Sequence, residues 1–106
     1  MDFETYQKKC KETAVYPDVL NGGVFYPALG LAGEVGELLN KIKKIARDNA
    51  TYTKEELTSE LGDVLWYLSE VARQLDINLN DVAEYNLKKL ADRMKRNVIH
   101  GSGDNR

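Results

Sequence analysis

Two apolar stretches, residues 28–46 and 57–75, each carry two carboxylates three positions apart. In LAGEVGELL these are Glu34 and Glu37. In SELGDVLWYL they are Glu60 and Asp63. The apolar residues recur at alternating intervals of three and four, which is helical spacing. Residues three apart lie about 60° from each other around a helix, so each acidic pair shares one face. Val35 and Leu38 flank the first pair, and Leu61 and Val64 flank the second, so both pairs border a stripe that wants burial. Packing stripe against stripe brings four carboxylates together. Without counter-charge they repel strongly in a partly dry groove. A hard divalent cation removes the conflict. Mg²⁺ takes oxygen ligands, keeps several waters and is shared readily with phosphates, and Mn²⁺ is a possible substitute. The one histidine, His100, lies near the tail, which disfavours zinc and iron.

The remaining pattern is also helical. The first helix is expected over about residues 2–14, capped by Asp2, with Phe3, Tyr6 and Cys10 on one stripe. Residues 15–27 hold both prolines and Gly22-Gly23 and read as a loop. The second helix starts at Pro27, whose missing N–H is harmless in a first turn, and runs to about Arg47. Thr53 and Glu56 form a capping box for the third. Asn78 caps the fourth, which runs to about Arg96 with Leu79, Val82, Ala83, Leu87, Leu90 and Met94 facing inward. No stretch alternates long enough for a strand. Short connections predict that helices two, three and four pack as antiparallel neighbours. The expectation is an all-α, four-helix domain over residues 1–99 with a polar, Gly-rich tail at 100–106.

At 106 residues the chain suits one domain whose core oligomerisation would enlarge. Its 42% hydrophobic and 30% charged residues describe a globular protein, and a net charge of −2 argues against binding a nucleic acid polymer. No apolar run reaches the ~18 residues of a membrane span. The single cysteine, Cys10, is expected as a reduced thiol in a cytoplasmic protein. Gly30, Gly33, Gly36 and Gly62 each weaken a helix by about 1 kcal/mol relative to alanine, which implies close approach of a helix or a ligand.

Glu34-Val-Gly-Glu37, 22 intervening residues, then Glu60-Leu-Gly-Asp63 resembles the E-x-x-E…E-x-x-D signature of the MazG-like nucleoside triphosphate pyrophosphohydrolases. The surrounding YPALGLAGEVGELLNKIKK, ELGDVLWYLSEVA and DVAEYNLKKLADR extend the resemblance over nearly the whole chain, with TAVYPD and VIHGSGDNR reminiscent of small members. The resemblance implies a four-helix bundle whose protomers associate into a larger helical bundle, as a homodimer or homotetramer. It implies Mg²⁺-dependent hydrolysis of (deoxy)nucleoside triphosphates between the α- and β-phosphates, with metal held by Glu34, Glu37, Glu60 and Asp63. Glu37 is the simplest candidate to orient or deprotonate the attacking water.

Asn86, Lys89 and Arg93 share a face of the last helix, where the family has matching polar and basic positions. Asn86 and Lys89 are read as substrate-binding. For Arg93, a phosphate contact and a solvated face compete. Tyr67 lies one turn after Asp63, placed to stack or hydrogen-bond near the nucleotide, while Trp66 fits core or interface. Lys41 is expected to pair with Glu37, four residues earlier. Tyr16, Asn21 and Tyr26 surround the loop where a base would be gripped. The tail either lies free or folds over the site. Related phosphoanhydrides (phosphoribosyl-ATP, dUTP, an alarmone) are alternative substrates, and a non-catalytic helical interaction module is the alternative outside enzymes.

Overall fold

The computed structural model describes residues 1–106 and is entirely helical. Helix α1 spans Phe3–Cys10, and the Asp2 carboxylate caps it by accepting the Thr5 N–H at 2.8 Å. The segment does not stay α-helical to residue 14. It tightens into a 3-10 turn at Lys11–Thr13, ahead of the loop that carries Pro17. Helix α2 runs Phe25–Asp48, two residues earlier than Pro27 suggested. Pro27 is its third residue, still within the first turn where amides lack intrahelical partners. Helix α3 is Lys54–Gln74, opened by the capping box: Thr53 Oγ1 accepts the Glu56 N–H at 3.0 Å, and the Glu56 carboxylate accepts the Thr53 N–H at 3.1 Å. Helix α4 is Leu79–Lys95, with Asn78 accepting the Asn80 N–H at 2.8 Å.

The dominant packing is α2 against α3. Helix α1 lies along the C-terminal half of α3 and the start of α4. There Trp66 Nε1 donates to Thr13 Oγ1 at 2.9 Å. The buried Gln7 donates to the Ile77 carbonyl at 2.9 Å and accepts the Leu79 N–H at 3.1 Å. One side chain thus satisfies two backbone groups at the α3–α4 turn, which would be costly if buried alone. Helix α4 meets α3 only narrowly. Helix α1 touches both of them more extensively than they touch each other.

Only eight of the 106 residues are buried, and the radius of gyration is 16.6 Å. A closed domain of this length would have about 13 Å. The buried apolar side chains are Cys10, Ala72 and Leu79, one each from α1, α3 and α4, together with Pro27 in the first turn of α2. Leu39, Ile42 and Ile45 on α2, Leu61 on α3, and Leu87, Leu90 and Met94 on α4 remain exposed. The stripes read as inward-facing are therefore only partly covered by the chain itself. Cys10 is a free, buried thiol. No helix is long and apolar enough to cross a membrane.

The glycines divide. A Cβ at Gly30 would overlap the Tyr67 ring, whereas Cβ atoms at Gly33, Gly36 and Gly62 would meet nothing of this chain. Of these four helical glycines, contact within the chain explains Gly30 alone. Substituting Gly30 by alanine should destabilise the protein, by about 1–3 kcal/mol in urea unfolding, because overpacking outweighs the gain in helix propensity. Near-ultraviolet circular dichroism should register the displaced Tyr67 ring.

Candidate metal centre

The α2–α3 pairing brings Glu34 from one helix to Glu60 and Asp63 from the other. One carboxylate oxygen of each lies within 4.8 Å of the others. Glu34 and Glu60 are half-buried, and Asp63 is exposed at the open side. Partial burial pushes the Glu34 carboxyl above its usual range, and the charges of Asp63, Glu60 and Glu37 push it further. All the charges acting on it are acidic, so the three-carboxylate group lacks neutralisation on the Glu34 side. An all-oxygen, like-charged donor set suits a hard divalent ion and offers no nitrogen or sulfur ligand for a softer one.

Glu37 is exposed and stands outside the group of three, acting on Glu34 only through its charge. Lys41 does not pair with Glu37. Its Nζ reaches across the helix interface to Glu60 Oε1 at 2.9 Å and sits 5.3 Å from the centre of the Tyr52 ring. The hydrogen bond to Glu60 raises the Lys41 pKa. Lys41 therefore neutralises Glu60, while the charges that act on Glu34 are all acidic.

Tyr67 adjoins the carboxylates. Burial raises its pKa first, followed by Tyr26 and the charges of Glu34 and Asp63. Its ring is the start of an aromatic run. Trp66 and Tyr67 meet edge to face at 5.0 Å and 88°, Trp66 and Tyr16 at 6.1 Å and 86°, and Tyr16 stacks on Tyr26 at 5.4 Å and 6°. These four rings, with Thr13, Val15 and Pro17, line a cavity of about 240 Å³. Trp66 thus belongs to a pocket wall. Asn21 is not among the lining residues.

The α4 residues lie elsewhere. Asn86 and half-buried Lys89 line a cleft of about 390 Å³ with Ile77, Asp81, Val82 and Tyr85. Arg93 is 6% exposed, so it is not on a solvated face, and its Nη2 donates to the Asp104 carbonyl at 2.8 Å. Arg106 donates to the carbonyls of Val98, Ile99 and Gly103, curling the tail back on the end of α4. None of the three α4 residues hydrogen-bonds to Glu34, Glu60 or Asp63. Within one chain, Asn86, Lys89 and Arg93 are not joined to the carboxylate group.

Sequence reading missed the Lys41–Glu60 bond because helical i, i+4 spacing describes only contacts within one helix. It also missed a buried cluster around Glu70 on α3, although Glu70-x-x-Arg73 is a local ion-pair spacing.

An all-α chain with converging carboxylates on paired helices fits a class of divalent-cation-dependent phosphoanhydride hydrolases. Residues 28–98 match the MazG nucleotide pyrophosphohydrolase domain, a span that includes both acidic pairs, Tyr67 and the α4 residues. The Gene 37 protein of Mycobacterium phage L5 is 44% identical over 114 aligned residues that cover both chains completely. No solved structure matches. The chain belongs to the MazG nucleotide pyrophosphohydrolase family.

The sign of the Glu34 shift gives a test. A carboxyl whose folded pKa is raised contributes stability at acid pH that is lost as pH rises through the folded pKa. In EDTA near neutral pH, Glu34→Gln should therefore melt at or above the parent, with the gap closing as both are acidified below the unfolded carboxyl range of about 4. Adding Mg²⁺ should raise the parent's melting temperature and leave the variant nearly unchanged.

Proposed function

We propose that this chain hydrolyses (deoxy)nucleoside triphosphates between the α- and β-phosphates, releasing monophosphate and pyrophosphate, in control of nucleotide pools. The observation that carries the reading is the convergence of Glu34, Glu60 and Asp63 inside the family-matched span. Together with Glu37 they would hold Mg²⁺ (or Mn²⁺), which when bound supplies charge neutralisation for the phosphates and activates water. Lys41 orients Glu60 for that task. Glu37, exposed beside the group, is free to orient the attacking water or take its proton. Tyr67 borders both the carboxylates and the aromatic pocket, so it sits where a nucleotide's sugar would bridge phosphates and base. The pocket offers ring faces to a base.

Asn86, Lys89 and Arg93 are proposed to bind phosphate oxygens across a subunit boundary, each chain lending them to its partner's carboxylates. The exposed apolar faces of α2, α3 and α4 support association into a homodimer or a homotetramer. The open glycines Gly33, Gly36 and Gly62 leave room there for a second helix or the substrate.

The test is product analysis over the eight common NTPs and dNTPs, with Mg²⁺ and with EDTA. Mg²⁺-dependent monophosphate and pyrophosphate without diphosphate is expected, and silence over the panel would remove the substrate class. Asp63→Ala should cost more activity than Lys41→Met, whose loss is expected at the roughly 10–100-fold typical of a group that orients a metal ligand. Sedimentation should give an assembly of two or four chains, and a monomer would refute the shared-site arrangement.

A further inference from the structure

Glu70 is the one carboxylate with no exposed surface, and the chemistry above does not use it. It accepts from Arg73 Nε at 2.9 Å and Nη2 at 2.7 Å, and its Oε1 accepts the Tyr16 hydroxyl at 2.8 Å. The same hydroxyl accepts from Gln74 Nε2 at 2.9 Å. Three residues of one turn of α3 thus converge on one hydroxyl 54 positions earlier in the chain. Gln74 is itself pressed against Gly23, where a Cβ would overlap its side-chain amide. A buried ion pair of this kind is a weak source of net stability, since desolvation offsets most of the attraction. Its effect is geometric.

The geometry concerns the aromatic pocket. Residues 14–24 make no side-chain hydrogen bond other than those at the Tyr16 hydroxyl. The backbone from Tyr16 to Asp18 makes no backbone hydrogen bond either. The tether at the hydroxyl is therefore what orients the ring that stacks on Tyr26 and meets the edge of Trp66. Glu70 stays ionised in its buried setting because the bonds from Arg73 and Tyr16 outweigh the burial penalty, and its pKa lies below the usual range.

We infer that Glu70 is a positioning residue: through the Tyr16 hydroxyl it fixes the loop-borne wall of the pocket beside the carboxylates, and so sets affinity for the heteroaromatic ring of a nucleotide without touching the phosphates. This rests on the nucleotide reading above. Trp66 is the sole tryptophan and lines the pocket, so its emission reports occupancy independently of turnover.

The experiment titrates Trp66 emission with nucleoside monophosphates in EDTA, against inorganic tripolyphosphate as the ring-free control, and measures kcat and KM for a triphosphate in Mg²⁺. Tyr16→Phe keeps the ring and loses the tether. It should weaken monophosphate binding and raise KM about tenfold, the scale of one hydrogen bond to a charged group, with kcat and the tripolyphosphate response little changed. Glu70→Gln still accepts from Tyr16 and should retain most of the affinity, whereas Glu70→Leu should behave like Tyr16→Phe. Tyr16→Phe/Glu70→Leu should be no worse than Tyr16→Phe alone, because the two act through one bond. Three results would overturn the inference: parent emission indifferent to every monophosphate, Tyr16→Phe binding like the parent, or a loss confined to kcat. Failure of hydrolysis with an intact, Tyr16-dependent emission response would sink the proposed reaction but leave the pocket and its tether standing.

Discussion

Repulsion among Glu34, Glu60 and Asp63 is the constraint around which the α2–α3 pair is arranged. Like charges within hydrogen-bond range of a common point are tolerated only where something offsets them. The chain offsets one, by setting Lys41 against Glu60, and leaves the Glu34 side open. The imbalance is directional. It leaves a half-buried, oxygen-rich notch whose charge favours a cation entering from the Asp63 side. The aromatic run begins one turn further along α3, so charge and ring faces adjoin through Tyr67.

Most of this scaffold was legible in the sequence. Asp2, Thr53 and Asn78 announced three helix starts, and each side chain makes the capping bond expected of it. Local hydrogen bonds of this kind depend on residues within a turn, so spacing suffices to find them. The convergence of Glu34 with Glu60 and Asp63 was readable for a related reason: two long stripes joined by a short link have one economical way to pack. The resemblance to the MazG-like pyrophosphohydrolases rested on those same residues.

What escaped the sequence was the relation between distant segments. The stripes of α2 and α4 look like core positions by periodicity, yet Leu39, Ile42, Leu87 and Met94 stay in water within one chain. Periodicity identifies which face seeks cover and is silent on whether the same chain provides it. Lys41 chose Glu60 over Glu37 because a cross-helix neighbour was nearer than the intrahelical one. Tyr16, in a loop without periodicity, carried no signal that it would meet Glu70.

The placement of α1 has a kinetic side. Gln7 is bonded to residues 70 and more positions later, whereas α2 and α3 meet across a connection of a few residues. Closing the large loop costs more entropy and takes longer than closing the small one. Docking of α1 onto the α3–α4 turn is thus the costlier of the two closures. Without Gln7, the Ile77 carbonyl and the Leu79 N–H at that turn lose the side chain that satisfies them. Helix α1, which contributes no carboxylate to the group of three, is a clasp over the turn into the last helix.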